Sequence, residues 1–235
     1  MYTLGIDTSS PLGSVALLRA GEVVAQVQAE VQARHGETIL SHLESVLATA
    51  GIEFSEVGLL SVGAGPGSFT GLRVGVSTAK GLAFASGVPI VAVGSLQAIA
   101  RAMPPGPRVV MVDAYKSEVY SAVYGAEDSG ELLLTLRHGS IEETVEQASD
   151  CLEGMPAALA GSGCRRYAET LGERMPPSWT LLDPSYDHPR AEHVAAIGRT
   201  LFLERGPDAV ASLEPLYVRP SDAKLPGGVT LVREA

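Results

Sequence analysis

The sequence predicts an α/β protein built of two similar lobes, each ordered strand–strand–strand–helix–strand–helix. Three observations carry that prediction. Short apolar runs alternate with segments of helical period along most of the chain. An apolar strand ending in Asp, Tyr2 to Asp7, recurs as Arg108 to Asp113, each time leading into a polar turn and a returning strand. The run Met103-Pro104-Pro105-Gly106-Pro107 separates the two copies and is the strongest break in the sequence. The boundary therefore places a first lobe at 1–103 and a second at 104–235.

In the first lobe, Tyr2 to Asp7 is short and apolar, as a buried strand should be. Ser9, Ser10, Pro11 and Gly13 make a turn, and Ser14 to Arg19 returns. After Gly21, Glu22 to Gln32 alternates apolar and polar residues, the pattern of a half-exposed strand. The period then changes. Ile39, Leu43, Val46, Leu47 and Ala50 share one helical face over His35 to Ala50, and Gly51 stops the helix. Val57 to Val62 is a strand, Gly63 to Ser68 a Gly-rich turn, and Phe69 to Ser86 a helix ended by Gly87. Pro89 to Val93 and Gly94 to Ala102 add a strand and a helix.

The second lobe repeats this order at a period of about 100 residues, too long for a solenoid. Its strands are Arg108 to Asp113, Val119 to Tyr124 and Leu132 to Arg137. A helix covers Ile141 to Leu152, then come a strand over Pro156 to Ala160, the turn Gly161-Ser162-Gly163, and a helix over Arg165 to Arg174. Pro176, Pro177, Pro184 and Pro189 break the next stretch into loops. Ala191 to Glu204 is the last helix, expected to pack back on the first lobe, and Leu225 to Ala235 is expected to be a frayed tail.

Composition narrows the function. The net charge of −10 opposes direct binding of nucleic acid, whose affinity comes from Lys and Arg neutralising phosphates. The two cysteines, Cys151 and Cys164, are too few for a disulfide framework or a thiolate zinc site. There is no basic segment leading into an apolar stretch at the N-terminus and no run long enough to span a bilayer, so a cytoplasmic protein with no membrane association is expected.

The Gly-rich segment G-A-G-P-G-S-F-T-G-L-R-V-G is not a P-loop, since it lacks a Gly-Lys-Ser/Thr ending. It is a poor dinucleotide fingerprint, because the next strand ends in Val93-Gly94-Ser95 where a ribose-binding acid belongs. The helix behind it is more informative. Gly71 and Gly75 each cost about 1 kcal/mol of helix propensity against Ala, which calls for close approach of another backbone, either a helix of the same chain or another subunit. Gly71, Val74, Gly75, Thr78 and Leu82, with Ile39, Leu43, Val46 and Leu47 on the earlier helix, form the candidate partner interface. Such a helix pair, presented twice in a dimer, would make a four-helix interface.

The turns after Asp7 and Asp113 offer a second candidate site. A hydroxyl-rich turn can wrap phosphates, and an Asp beside it can hold hydrated magnesium. Asp7, Thr8, Ser9, Asp113 and Lys116 are therefore the candidate contacts for ATP or ADP in a cleft between the lobes. No metal or catalytic cluster is expected: His35 and His42 are seven apart with Ile at position 39, and Gly161-Ser162-Gly163 lacks the spacing of a nucleophile elbow.

Four stretches together resemble the TsaB family, also called YeaZ: L-G-I-D-T-S-S, G-P-G-S-F-T-G-L-R-V-G, the D-A-x-x-x-E-V-Y hairpin and P-L-Y-V-R-P. The resemblance runs to about Ala223. It implies a two-lobed fold of the actin, sugar-kinase and heat-shock-ATPase superfamily. It implies a non-catalytic scaffold acting in addition of threonylcarbamoyl to adenosine 37 of tRNA. The implied partners are the catalytic subunit TsaD, through first-lobe helices, the ATPase TsaE, and a second copy of the chain when alone. Contact with tRNA would come only through the complex. TsaD-type chains share the Gly-rich string but carry a metal-holding pair of His one turn apart, a pattern missing here. Family hairpins read D-A-R, whereas Tyr115 and Lys116 come after Asp113-Ala114 in this chain, leaving Lys116 as the substitute. An ATP-using kinase or transferase working alone is the alternative reading, carried by the paired Asp turns.

Overall fold

The computed structural model describes residues 1–30, 35–126 and 131–218. The stretch over 225–235 lies outside the described residues. The first lobe contains β1 (Tyr2–Asp7), β2 (Leu12–Arg19), β3 (Glu22–Glu30), α1 (His35–Ala50), β4 (Val57–Gly65), α2 (Phe69–Ser86), β5 (Ile90–Gly94) and α3 (Ser95–Ala102). The second contains β6 (Arg108–Tyr115), β7 (Glu118–Tyr124), β8 (Leu132–Ser140), α4 (Ile141–Leu152), β9 (Ala158–Ala160), α5 (Ser162–Arg166), α6 (Ala168–Arg174), β10 (Thr180–Leu181) and α7 (Ala191–Arg205).

The two sheets share one topology. The first runs β3-β2-β1-β4-β5 and the second β8-β7-β6-β9-β10. In each, the first three strands pair antiparallel and the fourth and fifth join parallel to the first. The order of elements is thus duplicated, giving two similar α/β lobes.

Two differences from the sequence reading bear on the site. β4 continues three residues past Val62 into the Gly-rich stretch, where Gly63 and Gly65 still pair with β5. The helix expected over Arg165 to Arg174 is broken at Tyr167, which leaves helical geometry with φ −117° and ψ 37°. At the break, the Tyr167 hydroxyl donates to Asp113 Oδ1 at 2.9 Å.

Helix ends obey local chemistry. Ser68 caps α2 by accepting from the Gly71 amide, and Gly87 closes it in a left-handed conformation with φ 74°. Ser140 and Glu143 form a capping box on α4.

The core of the first lobe lies between its sheet and α1 with α2, built on Leu4, Ile6, Leu17, Leu60 and Val62. The opposite face of that sheet is covered by α3 and by α7, which comes from the far end of the second lobe. The chain thus returns to its first sheet after completing the second. Close approach makes the return possible: a Cβ at Gly5 on β1 would collide with the Ala191 carbonyl and the Ala195 side chain of α7. The Ala191 amide also donates to Ser14 Oγ of β2 at 3.0 Å. Gly5→Val is therefore expected to cost roughly 3 kcal/mol, the upper range for overpacking against backbone, read as a lowered urea midpoint.

Candidate interaction surface and inter-lobe cleft

The turn after β1 is knotted from within. Asp7 is fully buried, and its Oδ1 accepts from the Ser9 amide and the Ser9 hydroxyl, both at 2.8 Å. Its Oδ2 accepts from Ser95 Oγ at 3.2 Å, and that hydroxyl in turn accepts from the Gly65 amide. A Cβ at Gly63 would strike Oδ2, so the carboxylate is packed against the strand as well as bonded. Thr8 Oγ1 donates to the Gly71 carbonyl at 2.7 Å, and the Ser68 amide donates to the Ser9 carbonyl at 2.7 Å. The first turn and the start of α2 therefore form one unit.

This corrects the reading of two glycines. A Cβ at Gly71 would meet the Thr8 carbonyl, and one at Gly75 the Thr8 hydroxyl. What approaches α2 is the chain's own β1–β2 turn, by the Thr8 backbone at Gly71 and by the Thr8 side chain at Gly75. The apolar stripe on α1 is likewise turned inward: Ile39, Leu43, Val46 and Leu47 are buried in the first lobe's core, because α1 lies across β2 and β3. Val74, Thr78 and Leu82 are half-buried and form one flank of α2. Phe69, Arg73 and Lys80 form the other, beneath the segment beyond α7.

Between these flanks runs an exposed ridge of Thr70, Ser77, Gly81, Phe84 and Ala85. Phe84 is 86% exposed, and nothing lies within 4 Å of a Cβ built at Gly81. On α1, the exposed residues include Leu40, Glu44 and Ala48. The α2 ridge carries no carboxylate, and its signal in the sequence is the set of small residues at 77, 81 and 85, one helical face away from Gly71 and Gly75.

The second Asp turn is arranged differently. Asp113 is half-buried and its Oδ1 accepts from the Tyr115 amide and the Tyr167 hydroxyl, both at 2.9 Å. Burial, then the Asp113 bond and charge, hold the Tyr167 phenol above its ordinary range. Tyr115, Lys116 and Ser117 all take left-handed backbone, with φ of 61°, 54° and 64°. The turn leaves Tyr115 and Lys116 exposed, with Tyr115 along the cleft and Lys116 off it.

A cleft of about 540 Å³ separates the lobes. Ser9 and Asp113 line it, but Asp7, Thr8 and Lys116 do not. Residues that the sequence did not single out complete it: Ser10, Ser68, Ser162, Arg165, Arg166, Asp187 and His188. Asp187 ties Arg165 Nε at 2.7 Å and the Gly161 amide at 3.0 Å, so this ion pair holds the β9–α5 turn. Burial holds the His188 imidazole below its ordinary range. A hydrated magnesium ion does not fit beside Asp7, whose oxygens are both bonded within the lobe. Among the described residues, no three His, Cys, Asp or Glu side chains gather to hold a metal.

Burial is the first cause that raises the Asp7 carboxyl to about 6, against the lowering effect of the Ser9 and Ser95 bonds. The sign comes from proton counting. Between 3.8 and about 6 the native state keeps a proton that the unfolded chain has released, so stability falls as pH rises through that window. Asp7→Asn keeps the shape without the charge. Relative to the parent, this variant should gain about 2 kcal/mol between pH 4 and pH 7, at about 1.4 kcal/mol per pH unit of displacement, read by urea unfolding at the two pH values. A constant difference would show that the buried carboxyl does not titrate there.

Comparison with known proteins assigns the chain to a family. The family model described as TsaD: tRNA N6-adenosine threonylcarbamoyltransferase matches residues 22–162. The tRNA threonylcarbamoyladenosine biosynthesis protein TsaB of Haemophilus influenzae is 32% identical, with 95% of this chain and 97% of that protein covered. TsaB of Escherichia coli is also 32% identical, covering 97% and 99%. The solved structure of YeaZ from Pseudomonas aeruginosa superposes with a TM-score of 0.79 at 27% identity, over 92% of this chain and 99% of that one. No helix among the described residues is long and apolar enough to cross a membrane. Relatives matched at this identity from end to end place the chain in the TsaB (YeaZ) family of the tRNA threonylcarbamoyladenosine biosynthesis pathway.

Proposed function

We propose that the chain is a non-catalytic subunit in the threonylcarbamoylation of adenosine 37 of tRNA, and that it docks on a TsaD protein through the outer face of α1 and α2. The observation that carries this reading is the α2 ridge. An aromatic that is 86% exposed stands beside Ser77, Gly81 and Ala85, a profile suited to a second helix packing closely. In the isolated protein the same face pairs with a second copy, and in the complex it yields to TsaD. TsaE joins the assembled pair. The net charge of −10 leaves tRNA contact to the partner, and the setting is cytoplasmic.

Gly75→Leu is a poor probe of this contact, because the new side chain strikes Thr8 in the same chain. Phe84→Asp and Gly81→Arg alter only exposed positions. Each is expected to weaken association with TsaD by about 30-fold, roughly 2 kcal/mol, with an unchanged melting temperature. Co-purification and calorimetry check this, and undiminished affinity in both variants would sink the docking face.

The cleft of about 540 Å³ favours a second reading, an ATP-using enzyme acting alone. The internal bonds of Asp7, Thr8 and Ser9 argue against it, since they occupy the donors a phosphate would need. The isolated chain is expected to bind magnesium ATP or ADP with Kd on the order of 1 mM or weaker, and to depend on its partner for any tighter, shared site. Micromolar binding with turnover by the pure protein would reverse the assignment.

A further inference from the structure

The segment after α7 returns along α2 as a strap. Leu213 is 6% exposed and belongs to the first lobe's core. Lys80 Nζ donates to the carbonyls of Ala211 at 3.3 Å and Leu213 at 2.8 Å. Further on, the Leu216 amide donates to the Ala64 carbonyl at 2.7 Å, fastening the strap to the end of β4. The next residue, Tyr217, reaches the first turn of α2. Its ring centroid lies 5.4 Å from that of Phe69, and its hydroxyl accepts from Arg73 Nε at 3.1 Å. The Arg73 guanidinium in turn lies over Phe69, 3.9 Å from the ring centroid.

The result is a surface cation stacked on one aromatic ring and bonded to the hydroxyl of a second, assembled from residues 144 apart in the chain. Phe69 and Tyr217 remain 47% and 45% exposed, so the stack is not a core feature. Helix α2 contains two cations, Arg73 and Lys80, and no acid. Lys80 commits its ammonium to strap carbonyls. Arg73 uses only Nε, and among the described residues it forms no ion pair. Its two terminal nitrogens keep the planar fork that grips a carboxylate. In a chain of net charge −10, a fixed arginine on a helix without acids is an electrostatic exception. Ser77 follows Arg73 by one turn and Phe84 lies about three turns along the same side of α2, so the stack stands at the N-terminal edge of the α2 ridge.

We propose that Arg73, held in place by Phe69 and by Tyr217 of the C-terminal strap, is a carboxylate receptor at the edge of the α2 docking face. The occupant is an Asp or Glu side chain of the docking protein, flanked by apolar groups that cover Phe69 and Tyr217. Stacking fixes the rotamer of Arg73 before contact, which lowers the entropy lost when the ion pair forms. This inference rests on the docking reading above and adds to it the chemistry of one contact and the role of the strap.

Binding to TsaD, measured by calorimetry over a range of salt concentrations, tests it. Arg73→Gln should weaken binding about tenfold and flatten its dependence on salt, with Arg73→Lys recovering only part of the loss. Tyr217→Phe, which removes the hydroxyl and keeps the ring, should weaken binding about threefold, and Tyr217→Ala about tenfold. The salt dependence separates a receptor from a merely structural arginine, which would leave that slope unchanged. Phe84→Asp serves as the reference. If it abolishes binding while Arg73→Gln stays within about twofold at every salt concentration, the receptor is wrong and the docking face stands. If neither matters, both fail. Tighter binding by Tyr217→Ala would mark the strap as a cover over the face and overturn its supporting role.

Discussion

The buried carboxylate of Asp7 is the constraint on which the first lobe depends. An ionised group in that position has lost its water, and only the bonds from Ser9 and Ser95 compensate it. Those bonds draw three segments to one point: the turn after β1, the end of β4 through Gly63 and Gly65, and the start of α3 through Ser95. Removing any one donor would leave a buried acceptor short of a partner, a larger loss than the net worth of the bond itself. The knot also decides what the turn can do. Ser9 turns both its donors inward to Asp7, and its carbonyl takes the Ser68 amide. A turn that in isolation looks suited to phosphate is occupied in holding α2 against the sheet.

Duplication shows how much of this is local choice. The second lobe repeats the strand order of the first, and Asp113 lies near the end of its first strand as Asp7 does. The surroundings differ. Asp113 is only half-buried: its carboxylate accepts from Tyr167 at the α5–α6 break, and only its amide reaches a helix-starting serine, Ser162. The hairpin beyond it needs three successive left-handed residues that are not glycine, a conformation that tertiary contacts must hold in place. One carboxylate closes its lobe and the other faces a cleft.

What the sequence reveals tracks how local the deciding interaction is. Strand and helix boundaries are legible because their signals lie within a few residues, as with Ser68 and Gly87 around α2. The repeat is legible because it is written as a pattern of elements. The cost of Gly71 and Gly75 in a helix is also plain, but the group they admit is not, because Thr8 lies 63 residues from Gly71. Likewise, the period of Ile39, Leu43, Val46 and Leu47 shows that α1 has an apolar face. It cannot show that the face is taken up by β2 and β3. The cleft gathers Ser10, Ser68, Ser162 and Asp187 from four separate segments, and no local pattern shows that they meet.

Helix α2 illustrates why the partner face depends on distant parts of the chain. Its glycines lower its intrinsic helical stability, so its rigidity comes from packing rather than propensity. The Thr8 turn fills the glycine notches, α1 lies alongside, and the strap anchors Lys80 and Arg73 from the C-terminal side. These supports come from three separate parts of the sequence, and each leaves the ridge from Thr70 to Ala85 open. A surface held this way loses little freedom when a second protein covers it, which is where a small interface gains most of its affinity. The return of the chain to its first lobe, by α7 beneath the sheet and by the strap beside α2, is therefore more than a closing of the fold. It couples the end of the second lobe to the face proposed for docking.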